Sequence, residues 1–187
     1  MDTQKIVTPS AESLVSAAQA ASKKGLPPVE KWNPPFCGDI DMEIKRDGTW
    51  FYLGTPIGRP AMVKLFSTII RKDGEDYFLV TPVEKVGIRV EDAPFVAVDF
   101  NPVEDGLEFV TNVDDKVVAG PDHPIRVNRD PETGEPSPYI LVRRNLEALI
   151  DRKSFYRLVD VGEIKGEMFG VTSGGMFHPL IPAAELE

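Results

Sequence analysis

Residues 42–80, MEIKRDGTWFYLGTPIGRPAMVKLFSTIIRKDGEDYFLV, can be set beside residues 124–159, PIRVNRDPETGEPSPYILVRRNLEALIDRKSFYRLV. Each stretch opens on an apolar strand that runs into an Arg-Asp pair, Arg46-Asp47 or Arg129-Asp130, and then a Gly-containing turn. Each continues with an aromatic-apolar strand, an arginine, an amphipathic helix and a basic pair, Arg71-Lys72 or Arg152-Lys153. Each closes on an aromatic-rich strand, Tyr77-Phe78-Leu79-Val80 or Phe155-Tyr156-Arg157-Leu158-Val159. The shared order of five elements, with both pairs in register, points to duplication. A unit of this kind has one apolar sheet face and one apolar helix stripe. Two units bury those surfaces together and leave a seam, and domain interfaces are favoured places for ligand pockets.

Working outward, Ile40, Met42 and Ile44 alternate with Asp39, Asp41 and Glu43, the pattern of a strand with one wet face. Asp47-Gly48 is a hairpin turn and Trp50–Leu53 the returning strand. Pro60 suits the first position of a helix over Ala61–Arg71, which Asp73-Gly74 closes. A three-strand meander is expected next, over Tyr77–Thr81, Val86–Val90 and Phe95–Asp99, followed by strands near Leu107–Asn112 and Lys116–Ala119. Upstream, Ser10 caps a helix that Gly25 stops. Pro27, Pro28, Pro34 and Pro35 then force an extended strap, anchored by Trp32. The expected fold class is α+β, with a Pro-strapped N-terminal helix over 1–36 and β-rich subdomains over 37–100 and 101–187.

A net charge of −9 disfavours broad binding to nucleic acid or anionic membranes. With Cys37 the sole cysteine, no internal disulfide or Cys-rich metal site can form, and a buried structural thiol is expected. The first ten residues lack a signal peptide's apolar region, and no run reaches the ~20 apolar residues of a membrane span, so a cytoplasmic location is the default.

The chemical motifs mostly fail on spacing. Asp39 and Asp41 resemble the start of a calcium loop, but Ile44 and Trp50 stand where Gly and Glu are required. An arginine partner or a solvated strand is the plainer reading. His123 and His178 are far apart, each before a proline, which argues against zinc. Gly170–Gly175 lacks phosphate-loop spacing and reads as a Gly-rich hairpin between Phe169 and Met176-Phe177. Arg59 and the pair Arg143-Arg144 fall at corresponding strand-to-helix junctions of the two repeats, a fork suited to an anion if the halves face each other.

The stretch from Cys37 to Phe95, with its motifs CGDIDM, LFS, LVTPVEKV and VEDAPF, resembles the bacterial family catalogued as domain of unknown function 1285. The resemblance runs from PPVEKWNPP to the end of the chain. It implies a duplicated core, a C-terminal half superficially like pleckstrin-homology folds, and a ligand site at the domain interface. That ligand is expected to be nucleotide-derived and the role to lie in signal transduction.

The expected function is therefore a binding or regulatory module for a small anion at the seam, without a cofactor. Arg59, Lys85, Arg143 and Arg144 neutralise the anion, Trp50 offers a stacking face, and Thr81 and Glu84 make hydrogen bonds. The second reading is a protein-interaction module for a signalling partner, in which the C-terminal half adds an edge strand. An enzyme ranks third: Asp39, Asp41 and Glu84 would serve acid–base chemistry only if they meet in one desolvated pocket.

Overall fold

The structure, a computed structural model, describes residues 10–186. The reading of a missing signal peptide falls largely on residues 1–9, outside the described residues. The chain divides into two compact units. One holds the described residues up to Lys45 together with Thr49–Glu91, and the other Arg46–Gly48 with the chain from Asp92 onward.

The first unit begins with helix α1 (Ala11–Ala21). Ser10 caps it in a reciprocal box with Ser13, and the chain leaves through a 3-10 turn that ends at Gly25 with φ 103°. The strap is pinned by Arg71, whose Nη1 donates to the carbonyls of Val29 (2.9 Å) and Trp32 (2.7 Å).

Six strands follow: β1 (Phe36–Ile44), β2 (Trp50–Tyr52), β3 (Thr55–Pro56), β4 (Ile70–Asp73), β5 (Asp76–Val80) and β6 (Lys85–Val90). Helix α2 (Pro60–Ser67) lies between β3 and β4, with Pro60 in its first turn. It stops short of Arg71, because Ile70–Asp73 pairs with β5, and Asp73-Gly74 turns a hairpin rather than ending a helix. The sheet order is β3-β2-β1-β6-β5-β4: two antiparallel meanders joined by the parallel pair β1 and β6. Ile40, Met42 and Ile44 alternate inward as their spacing predicted. Trp50 stacks on Phe66 of α2, with ring centroids 6.2 Å apart and planes at 17°.

The second unit repeats this topology. Strands β7 (Phe95–Val103), β8 (Gly106–Thr111) and β9 (Lys116–Val118) make one meander. Strands β10 (Ile125–Arg129), β11 (Pro136–Arg143) and β12 (Leu146–Ile150) make the other. Read from β9, the order is β9-β8-β7-β12-β11-β10, with β7 and β12 the parallel pair. The chain is thus two similar β-rich subdomains, each with a short helix.

The repeat, however, runs β1–β6 against β7–β12, not 42–80 against 124–159. Strand β10 therefore plays the part of β4, not β1. Three local expectations change with it. Phe95–Asp99 opens the second sheet, pairing with β8 and β12, instead of closing a meander with β6. Leu146–Ile150, expected within a helix, is strand β12, because its backbone pairs with β11 on one side and in parallel with β7 on the other. Phe155–Val159, expected as a strand, lies in helix α3 (Arg152–Asp160), which Asp151 caps by accepting from the Ser154 N–H at 2.8 Å.

The second unit also carries β13 (Glu163–Lys165), β14 (Met168–Ser173) and β15 (Met176–Pro182). Gly174-Gly175 turns the β14–β15 hairpin, the Gly-rich hairpin expected there. Its tip docks on the second sheet. Ser173 Oγ donates to the Ala119 carbonyl (2.8 Å) and accepts from the Leu107 N–H (2.8 Å). His178 is fully buried; Nδ1 accepts from the Ile125 N–H (3.3 Å) and Nε2 lies 3.2 Å from the Ser173 carbonyl. Burial holds its pKa below the ordinary value, consistent with a neutral ring donating through Nε2. His178 is thus a structural residue.

Candidate functional site

In the first unit, the parallel pairing of β1 and β6 sets Phe36 beside Lys85 and Asp39 beside Gly87. Antiparallel pairing sets Phe78 on the other side of Gly87. These side chains line a cavity of about 500 Å³, together with Asp76, Tyr77 and Arg89. Gly87 leaves room for the Asp39 carboxylate, which lies over its backbone; a Cβ there would push that exposed side chain aside.

The cavity is aromatic and cationic at one end. Lys85 Nζ stands 4.0 Å from the centroid of the Phe78 ring, within cation–π range. Phe36, which is 57% exposed, meets Phe78 edge-on at 5.9 Å. Lys85 Nζ also donates to Asp73 Oδ2 at 2.8 Å. Asp73 is gripped on its other side by Arg71, through Nε and Nη2, each at 2.9 Å. The Arg71 fork, and less strongly Lys85, hold the Asp73 carboxyl below its usual range. At the other end Arg89 donates to Asp41 (2.7 Å) and lies 3.6 Å from Glu43. Of the two carboxylates that suggested calcium, Asp41 therefore has the arginine partner of the plainer reading, while Asp39 is exposed on the strand, the other form of that reading. Among the described residues no group of three or more His, Cys, Asp or Glu is placed to hold a metal.

Thr81 and Glu84 act one step back from this cavity. Thr81 Oγ1 accepts from the N–H groups of Val83 (3.3 Å) and Glu84 (3.1 Å), tightening the turn that presents Lys85 at the head of β6. The Glu84 side chain is buried and accepts from Ser13 Oγ of α1 at 3.1 Å. Glu84 therefore does not join Asp39 and Asp41, which are exposed on the sheet, and the three carboxylates form no acid–base constellation. Trp50 is 1% exposed and covered by Phe66, so it presents no stacking face.

Arg59 is exposed at the N-cap of α2. Arg143 ends β11 in the second unit, and Arg144, at φ 51°, is in the turn to β12. They do not occupy corresponding strand-to-helix junctions, because the segment after Arg144 is a strand. Their topological counterpart is the Thr81–Glu84 turn between β5 and β6. Arg143 stacks over Phe95 at 4.8 Å and donates to Asp115 at 2.5 Å; its burial works against the charge that Asp115 supports. Cys37 is half-buried rather than buried, with its thiol 3.3 Å from the Pro35 carbonyl.

A second cavity, of about 420 Å³, lies in the second unit among Arg46, Ser137, Glu135, Asp151, Arg152 and Tyr156, with six further residues. It suits an anion less well. Its Arg152 is paired with Glu135 at 2.7 Å, as the cations of the first cavity are paired with acids, but the Asp151 carboxylate also occupies the end of α3 where an anion would sit.

The N-terminal domain of DUF1285, a domain of unknown function, matches residues 27–93, and the family's C-terminal domain, also of unknown function, matches residues 94–180. The chain belongs to the DUF1285 family. A DUF1285 family protein from Silicibacter pomeroyi DSS-3, known from a crystal structure, is 60% identical. The match covers 92% of this chain and 97% of that one, with a TM-score of 0.85. A DUF1285 family protein from Shewanella baltica OS155 is 31% identical over 64% of this chain and 90% of its own, with a TM-score of 0.53. No curated protein matches the chain. Among the described residues of this DUF1285 protein, no helix is long and apolar enough to cross a membrane.

Of the residues expected at a site, only Lys85 lines the first-unit cavity, and Thr81 and Glu84 shape the turn before it. Sequence reasoning missed Phe36, Phe78, Arg89 and Asp73. The available signal was the alternation Lys85, Gly87, Arg89, which puts two cations and a gap on one face of β6.

Proposed function

We propose that this protein is a cytoplasmic regulatory module that takes a small anionic, nucleotide-derived ligand on its first sheet and acts in signal transduction rather than catalysis. The observation that carries the reading is Lys85 standing over Phe78 beside the exposed Phe36. A base needs an aromatic surface and a phosphate needs a cation, and this cavity offers both within one side chain's reach. Lys85 is the anchoring cation, while Thr81 and Glu84 set its position. Trp50 and Arg143 have structural roles in place of the ligand roles expected for them. Arg59 and Arg144 do not belong to the lining of this cavity.

The test is isothermal titration of the full chain with a panel of adenine and guanine nucleotides, for the native protein and Lys85→Glu. The expected result is saturable binding of at least one nucleotide, weakened at least thirtyfold by the charge reversal with the melting temperature little changed. Absence of binding across the panel, or equal binding by Lys85→Glu, would rule out the site.

A second reading, capture of a partner protein by strand addition, has support at β13. That strand is exposed at every residue and is an edge of its sheet, with Ile164 58% exposed.

A further inference from the structure

We infer that the first-unit cavity selects nucleoside phosphodiesters carrying one negative charge over nucleotides carrying two or more, and that Asp73 sets this preference. The inference rests on the function proposed above and concerns the ligand's charge.

The cations of the cavity are already matched. Lys85 is bound to Asp73, and Arg89 to Asp41 with Glu43 nearby. Two more carboxylates, Asp39 and Asp76, belong to the lining itself. Asp39 is held over the backbone of Gly87, where any larger residue would displace it. Asp73 is itself gripped by Arg71, so the Arg71–Asp73–Lys85 group carries one net positive charge, which a single phosphodiester charge balances. A second charge on the same phosphate finds no further cation in that group and adds to the repulsion from Asp73, Asp39 and Asp76.

The same carboxylates call for donors. Asp39 and Asp76 are acceptors only when ionised, so the complementary ligand presents hydroxyl or amino hydrogens. A ribose hydroxyl and a base amino group supply them, while Phe36 and Phe78 take the base. A volume of about 500 Å³ is within the range of small-molecule pockets. An acidic chain of net charge −9 adds a weak general penalty for polyanions.

Asp73 is a positioning and selectivity residue. Its carboxylate orients Lys85, and Arg71 fixes that carboxylate in turn. Asp73→Asn keeps the shape and removes one negative charge from the phosphate's surroundings.

The experiment is titration calorimetry at pH 8 with three probes, 3′,5′-cyclic AMP, AMP and ATP, on the native chain, Lys85→Glu and Asp73→Asn. AMP at this pH carries two charges where cyclic AMP carries one. The native protein is expected to bind cyclic AMP at least tenfold more tightly than AMP, and ATP more weakly still. Asp73→Asn is expected to narrow the gap at least threefold, mainly by improving AMP. Raising salt from about 20 to 500 mM is expected to shrink the native gap, because screening weakens the repulsion of the second charge. If AMP or ATP binds as tightly as cyclic AMP, and Lys85→Glu abolishes both, the charge preference is wrong while the site stands. If the gap exists but Asp73→Asn leaves it unchanged, the role of Asp73 is wrong. If no probe binds, the inference and the site reading fall together.

Discussion

Phe66→Ala is expected to destabilise the first unit by about 3–5 kcal/mol, enough to leave a marginal domain largely unfolded at 37 °C. Phe66 is fully buried on α2 and stacked on Trp50, itself among the largest buried side chains. Truncation removes the ring and leaves a hole bounded by groups from helix and sheet that cannot all collapse inward. Among the described residues the Trp50 Nε1 has no hydrogen-bond partner, so packing rather than a polar tether holds Trp50 there. Urea unfolding followed by tryptophan fluorescence is the measurement. Phe66→Leu is expected to cost clearly less, since it refills most of the volume. A loss of under 1 kcal/mol for the alanine variant would mean that α2 does not depend on this contact.

Gly174→Val is the second large effect, at about 3 kcal/mol or more. Gly174 has φ 62°, a conformation a β-branched residue strongly resists. A Cβ there would also lie 2.5 Å from the Ala119 carbonyl oxygen and 2.8 Å from Gly120 Cα. Those atoms belong to backbone that cannot swing aside, and the Ala119 carbonyl is the acceptor for Ser173 Oγ. Relieving the clash lifts the hairpin tip, which breaks the Gly174 N–H bond to Asp105 (2.9 Å) and strips His178 of its buried partners. Gly175, also at positive φ but with open space around it, serves as the control. Gly175→Val is expected to cost clearly less than Gly174→Val, because it meets the same positive φ but no backbone atoms. Equal costs at the two positions would show that backbone strain, not the docked tip, is responsible.

The places where the sequence was legible are those where local chemistry decides the structure. Ser10 with Ser13, Pro60 at the first turn of α2, and Gly174-Gly175 at the hairpin act within a few residues of themselves. Residues 146–150 were not legible, for a definite reason. Leu146, Leu149 and Ile150 have helical spacing, while Leu146, Ala148 and Ile150 have strand spacing. Only the parallel neighbour β7, some fifty residues earlier, decides between them. The duplication was legible, but its register was shifted because Arg-Asp turns recur. Arg46-Asp47 joins β1 to β2, whereas Arg129-Asp130 follows β10, the counterpart of β4.

The candidate site was hardest to see for the same reason. Phe36, Phe78 and Lys85 meet only because β1 and β6 are parallel neighbours, and no periodicity within either strand announces a parallel partner. Lys85 was visible as an unusual cation between apolar strands. Its neighbour Phe36 fell in the Pro-rich strap and Phe78 in a strand, neither of special interest, and Asp73 looked like a turn. Trp50 was the natural choice for stacking by residue type, but large aromatic side chains near a helix are most useful to the core.

The face of the first sheet formed by β1, β5 and β6 is proposed to receive a nucleotide-derived monoanion. A crystal structure of the full chain grown with 3′,5′-cyclic AMP is the decisive measurement. The expected result is the base against Phe36 and Phe78, with a phosphate oxygen within hydrogen-bond distance of Lys85 Nζ. Well-ordered cyclic AMP elsewhere on the chain, with the Phe36–Lys85 cavity holding only solvent, would contradict it.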